Sequence, residues 1–391
     1  MTSRSVHTRH VRRRKVAALA SVAILVLVTA ACSSTDKETA TGGTNIAAAD
    51  TFSDKLCTPK DESAIADIPK SVSGFTGYES ADGDWLAEPA DSPLKGKRVA
   101  VSVMGLGQPF FLAVKGHWED LAKKYGFDVK IYDGKFDAGT VQKIVDDIIA
   151  DKPDAVAFAP LDSDASVPQV QKFLEAGIAT VTYNVQPREV AAPRVFADDY
   201  VGSQIVGCNT GAYFAERFPD RDAKIGIVDL PQLPQTQDRK NGFLAGFLSQ
   251  IPDAEVVQTV DGGGVIDKAS PAASDLIQAN PEVNVIFGIN DDSSLGTIAA
   301  LKTAGKYKAD WGVLAAVDGS RPALESVKDP DSPYKAESGY PPRDFAYAAF
   351  NLLGATVAGN TAPDTQVVVG YPPILPSEDG INTWLSEQYP E

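Results

Sequence analysis

The chain has 391 residues, with 36 Lys and Arg against 52 Asp and Glu, a formal net charge of −16, three histidines and three cysteines. So acidic a surface is a poor match for nucleic acid or for an anionic membrane face. With so little histidine, metal-hydrolase and Ser/His/Asp chemistry lack their usual ligands and bases.

The N-terminus reads "MTSRSVHTRHVRRRK", followed by an apolar run over residues 16–31 and then a cysteine. A basic segment, an apolar run and small residues before a cysteine describe an export signal. The run is shorter than the roughly 20 apolar residues a membrane span needs. "TAAC" at 29–32 resembles the lipobox of bacterial lipoproteins, which implies lipidation at Cys32, although Thr29 stands where leucine is usual. Removing residues 1–31 takes away six basic and no acidic groups, moving the charge from −16 to −22, and leaves His117 as the sole histidine.

Residues 32–51 are small and polar without periodicity and read as a flexible tether. Residues 52–96 are rich in Pro, Gly, Ser and Asp and read as an extension lying on the domain, with Phe75, Tyr78 and Trp85 as candidate anchors. With Cys32 lipidated, Cys57 and Cys208 remain in an oxidising exterior, where pairing is the default. A Cys57–Cys208 disulfide is expected; the alternative is two buried free thiols.

From Lys97 the pattern changes. Short apolar runs ("RVAVSV", "FDVKIY", "DAVAFA", "IATVTY") alternate with helical stretches, the clearest carrying Val141, Ile144, Val145, Ile148 and Ile149 on one face. Continuous β-branched runs between helices imply parallel sheets covered on both sides. A second series follows: "KIGIVDL", "EVVQTV", "VNVIFG" and "GVLAAV". About 295 residues are long for one open sheet, so two α/β lobes are expected. The first crossing between them falls in "PRVFADDYVGSQIVG" (193–207), and further crossings follow "YKAESG" and lie within "TQVVVGYPPILP". Lobe 1 is assigned 97–198 plus 339–365, and lobe 2 199–338 plus 366–391. Several crossings make a hinge, which suits a molecule that closes on something.

Six ordered landmarks now carry a resemblance: "QPFF" after the first strand, "APLDSDA" (159–165), "ADDYVG" (197–202), "RKNGF" (239–243), "NDDSSLG" (290–296) and "VDGS" (317–320). Over roughly 97–365 the chain resembles the periplasmic sugar-binding proteins of the ribose-binding type, the solute receptors of ABC importers. The resemblance implies two Rossmann-like lobes, the type I periplasmic binding protein fold, joined by a multi-strand hinge. The same fold serves LacI-type repressors, which carry a DNA-binding headpiece where this chain has an export signal.

A sugar presents weakly polar C–H faces and a rim of hydroxyls, so its site combines aromatic plates with planar polar side chains in a cleft. Ligands in such folds bind beyond the carboxyl ends of the strands. The resemblance implies that Phe110 and Phe111 pack on the sugar, and that Gln108 takes the place of a family asparagine. Asn184 occupies a family aspartate position, Val185 replaces the arginine that often follows, and Ala159 replaces a polar residue. Arg239 matches a family arginine four residues before Phe243. Its fork of five donors suits adjacent hydroxyls. Asn290 and Asp318 end strands, where each is either a ligand group or a helix cap, and Asp291 is a lesser candidate. Tyr340 stands near the hinge, stacking on the ligand or only filling space.

Other classes fit less well. "GLGQPF" puts phenylalanine at the third glycine of a dinucleotide fingerprint, and "DGGGV" (261–265), plainer as flexible backbone, lacks the Lys-Ser/Thr of a phosphate loop. The expectation is a lipid-anchored, monomeric, non-enzymatic receptor on the outer face of the cytoplasmic membrane. It takes a sugar or polyol and hands it to a permease, with no cofactor, metal or nucleic acid. A sensor signalling to a membrane partner, and remotely an exported enzyme, are the alternatives.

Overall fold

A computed structural model describes residues 57–70, 80–189, 191–374 and 376–389. The segments read from sequence as an export signal and a tether, with Cys32, Phe75 and Tyr78, lie outside the described residues.

The first lobe opens with β1 (Arg98–Val103), buried at every position after the first, as a strand covered on both faces must be. Helix α1 (Pro109–Tyr125) starts at a proline, whose fixed φ suits the first helical position, and stops at Gly126 with φ 70°. Strand β2 (Asp128–Asp133) is followed by α2 (Ala138–Asp151), which Asp137 caps by accepting from the Thr140 N–H at 2.7 Å. Its apolar face buries Val141, Ile144, Val145 and Ile148. Then come β3 (Ala155–Phe158), α3 (Ser166–Glu175), β4 (Ala179–Tyr183) and β5 (Arg194–Ala197).

The second lobe runs α4 (Asp199–Arg217), β6 (Lys224–Asp229), α5 (Pro234–Gln250), β7 (Glu255–Asp261), α6 (Ile266–Ala279), β8 (Val285–Gly288), α7 (Asp291–Thr303), β9 (Val313–Asp318), α8 (Arg321–Lys328) and β10 (Tyr334–Gly339). The chain finishes with α9 (Pro342–Val357), β11 (Gln366–Val369), β12 (Pro373–Ile374) and α10 (Glu378–Gln388).

Two six-stranded sheets result, in the orders β11-β5-β4-β3-β1-β2 and β12-β10-β9-β8-β6-β7. Every pairing is parallel except β12 with β10. The strand order reverses beside β1 in one sheet and beside β6 in the other, so a crevice opens at the carboxyl ends of both.

Three crossings join the lobes: β5 into α4, β10 into α9, and β11 into β12. Helix α9 packs on α1, β3, β4 and β5 of the first lobe, and α4 packs on α5, β9 and β10 of the second. One boundary needs correction. The sequence pattern assigns all of 366–391 to lobe 2, whereas β11 pairs in parallel with β5 from Gln366↔Arg194 to Val369↔Ala197 in the first sheet. Its short β-branched run fits either sheet edge, so only pairing decides.

Helices α4 and α5 approach along glycines. A Cβ at Gly242 would lie 2.1 Å from the Tyr200 carbonyl oxygen, and one at Gly207 2.1 Å from that of Phe243. The contact requires bare backbone. It sets Arg239 of α5 against Asp199 of α4.

The described part of the extension touches both lobes. Cys57 is disulfide-bonded to Cys208 of α4 with Cα atoms 5.6 Å apart, and the Lys60 N–H donates to the Ser249 carbonyl at 2.7 Å. Further on, the Asn351 amide of α9 donates to the carbonyls of Trp85 and Ala87, and Trp85 packs on the first lobe's core.

Candidate functional site

The crevices of the two lobes face each other across one shared cleft. Eight of the residues singled out in the sequence line it: Gln108, Phe110, Phe111, Asn184, Arg239, Asn290, Asp318 and Tyr340. They sit at or beyond the carboxyl ends of the strands, on the loops and first turns of helices that gather there.

The first lobe supplies rings. Phe110 and Phe111 are 5% and 3% exposed and belong to a large buried apolar cluster while also bordering the cleft. They meet edge to face at 4.9 Å between centroids, and Phe110 lies 5.0 Å from Tyr340 and 5.8 Å from Phe345. Phe136 packs on Phe111 at 5.9 Å and adds another ring to the cleft. Tight packing holds these rings in place, so a flat ligand face meets a rigid surface.

The second lobe supplies charge. Arg239 donates from Nε to Asp199 Oδ1 at 2.7 Å and from Nη1 to Asp318 Oδ1 at 3.1 Å. Its guanidinium lies 4.6 Å over the Tyr340 ring, and the Tyr371 hydroxyl donates to Asp199 at 3.3 Å. Burial by itself would lower the Arg239 pKa, but Tyr371, Asp199 and Asp318 around it hold it well above the ordinary value. Asp199 is pushed up to about 6 by burial, against the pull of Arg239.

Behind Asp318 lies a buried acidic cluster. Asp291 accepts from the Ser320 N–H at 2.6 Å and from the Tyr334 hydroxyl at 3.1 Å, and Tyr334 also bonds Glu337. Burial, then the neighbouring Asp318, raises Asp291 to about 7. Burial, then the neighbouring Asp291, raises Glu337 well above its ordinary value.

Side-chain amides divide into committed and free. Gln108 of the first lobe and Asn290 of the second both donate to the Gly264 carbonyl, at 2.9 and 3.0 Å, and the Gln108 bond joins the two lobes. "DGGGV", expected as flexible backbone, is a tight turn with Gly263 and Gly264 at φ 62° and 67°, presenting that carbonyl. The Asn290 Oδ1 caps α7 by accepting from the Ser293 N–H, so Asn290 is both cap and cleft residue. Asp318 is not a cap, since Ser320 holds the N-cap position of α8. The Asn184 side-chain amide has no hydrogen-bond partner among the described residues.

Asn184 and Asp318 have φ of 69° and 135°, and Phe136 has 51°. Such conformations cost of order 1–3 kcal/mol for non-glycine residues and persist where the surroundings enforce them. In this cleft they aim side chains at the enclosed space.

Several residues depart from the expectations drawn from sequence. Ala159 is buried in the core and does not line the cleft, whereas Val185 does. Asp291 stands behind the cleft wall. His117 lies under α10, bonded to the Gln388 carbonyl at 2.9 Å, so it packs rather than reacts. Sequence reasoning missed Asp199, Phe136, Gln235 and the distant Tyr371. Asp199 was legible as the second aspartate of "ADDYVG". Tyr371 carries no local signal.

Known proteins share this fold. Residues 99–361 match the periplasmic binding protein domain model, and the chain belongs to that family. The chain is 28% identical to the ribose import binding protein of Bacillus subtilis, over 62% of this chain and 77% of that protein. Among solved structures, an ABC transporter periplasmic solute binding protein of Actinobacillus succinogenes with bound D-allose superposes with a TM-score of 0.66 at 20% identity, covering 74% of this chain and all of that one. An ABC transporter solute binding protein of Bacillus halodurans with bound myo-inositol gives 0.63 at 18%, covering 76% and 100%. The family consists of binding proteins, so this chain captures a solute outside the cytoplasm and is not an enzyme. Among the described residues no helix is long and apolar enough to cross a membrane.

Proposed function

We propose that the chain captures one monosaccharide or polyol between its lobes and presents it to the permease of an ABC importer. In this reading it acts as a monomer held at the membrane by a lipid on Cys32. One observation carries the proposal: a single cleft unites aromatic rings of one lobe with the Arg239–Asp318 pair and amides of the other. Rings cover the C–H faces, while Asp318, Arg239 and Asn184 serve the hydroxyls, and charge-assisted bonds are roughly twice as strong as neutral ones. Closure is favoured because the ligand satisfies both lobes at once. The ribose, D-allose and myo-inositol of the relatives support a sugar or a cyclitol of this size.

Isothermal titration of the purified protein with D-ribose, D-allose and myo-inositol tests the reading. A dissociation constant of about 10 μM or tighter, close to 7 kcal/mol of binding, is expected for a sugar or polyol. Failure of every pentose, hexose and cyclitol tried would sink it. For the anchor, Cys32→Ser should release the protein from the membrane fraction.

A further inference from the structure

We infer that Gln235 is a specificity-determining residue of the cleft, and that its side-chain amide waits for a ligand hydroxyl able both to donate and to accept. The inference deepens the sugar-or-polyol reading and rests on it for the identity of the ligand.

Gln235 is the second residue of α5, and Arg239 lies four residues later. Residues at that spacing share a helix face. Both residues line the cleft. The two residues differ in what they already hold. Arg239 is bonded to Asp199, Asp318 and the Ile289 carbonyl. The Oε1 and Nε2 of Gln235 are shut off from solvent and have no hydrogen-bond partner among the described residues. Burying such a group unpaired is costly, and a buried polar atom left over in a folded protein calls for a reason.

Geometry supplies one. Gln108 and Asn290, also at the cleft, spend an amide N–H on the Gly264 carbonyl. Gln235 spends none. An amide offers one donor side and one acceptor side, the complement of a hydroxyl and not of a carboxylate or an ammonium. A site that leaves such a group unpaired rejects the analogue lacking the matching hydroxyl much more strongly than it rejects a missing methylene.

The test uses Gln235→Met, close in volume, and Gln235→Leu. In either variant the melting temperature of the empty protein should rise by roughly 1–4 °C, because an unpaired buried amide is removed. Affinity for whichever of D-ribose, D-allose and myo-inositol binds the wild type should fall by about 10–100-fold. Single-deoxy analogues of that sugar should then divide. Wild type should lose affinity for one of them by a similar factor, while Gln235→Met should bind it and the parent sugar alike. Unchanged affinity, or equal loss for all deoxy analogues in wild type and variant, would overturn the inference. If the wild type binds none of the three probes, the sugar reading fails on its own. An empty-protein melting temperature that does not rise then overturns the role of Gln235 as an amide awaiting a partner.

Discussion

The two walls of the cleft rest on different physics. On the first lobe, Phe110 and Phe111 are held by packing and belong to a large buried apolar cluster. On the second, Arg239 is held by carboxylates, in a polar chain running Tyr371–Asp199–Arg239–Asp318 with Asp291, Tyr334 and Glu337 behind it. A packed wall is rigid because volume is conserved, and a change of shape is felt as lost core. A bonded wall is rigid because each charge needs its partner in low dielectric, and a change of charge is felt as an uncompensated ion. Ring truncation should therefore trade stability and affinity together, whereas substitutions in the polar chain can separate them.

The largest effect should come from Arg239→Met, which strands Asp199 and Asp318 with no cation between them. Removing one partner of a buried ion pair costs about 3–5 kcal/mol, read as a lower urea midpoint of the empty protein. A midpoint within error of wild type would mean that the pair is not dry. Next comes Phe110→Ala, where truncating a core ring costs about 3–5 kcal/mol and binding should weaken in parallel. Stability retained with binding lost would place Phe110 on the ligand alone.

Asp318→Asn should do the reverse. It keeps Arg239 paired with Asp199, relieves Asp291 of a like charge, and suits the positive φ better than alanine would. Stability should move by less than about 1 kcal/mol, while loss of a charge-assisted bond weakens binding by about 10–150-fold. A collapse in stability would show that the carboxylate is structural.

The smallest effect is a slope with pH. Asp199 and Asp291 are raised from 3.8 to about 6 and about 7, so the folded protein binds more protons than the unfolded chain between those values. Their contribution is complete near pH 4 and is lost as pH rises through 6 and 7. The empty protein should thus melt lower at pH 8 than at pH 5. In Glu337→Gln, which keeps the neutral form that burial and Asp291 favour, the decline should be shallower. A melting temperature that climbs from pH 5 to 8 would contradict the acidic cluster.

Much of this was legible in one sequence. The strands announce themselves because a parallel sheet covered on both sides needs uninterrupted apolar runs, and "RVAVSV" and "GVLAAV" supply them. Phe110, Arg239 and Asp318 were legible through the resemblance to the ribose-type binding proteins, whose ligand groups lie beyond the carboxyl ends of the strands. Local rules also start helices at Pro109 and Asp137, since a cap acts within three residues of itself.

Other features needed the folded chain. Nothing local places β11 beside β5, and nothing near Tyr371 points to Asp199, 172 positions away. Sequence alone left Asn290 and Asp318 equally open as caps, and three-dimensional contacts separated them. The absence of a partner for Gln235 is likewise a property of everything that surrounds it. Local bonding rules act over a few residues and can be read in order along the chain. Pairing of sheet edges, closure of two lobes and the satisfaction of a buried polar atom depend on which distant groups arrive, and that is settled only when the whole chain has packed.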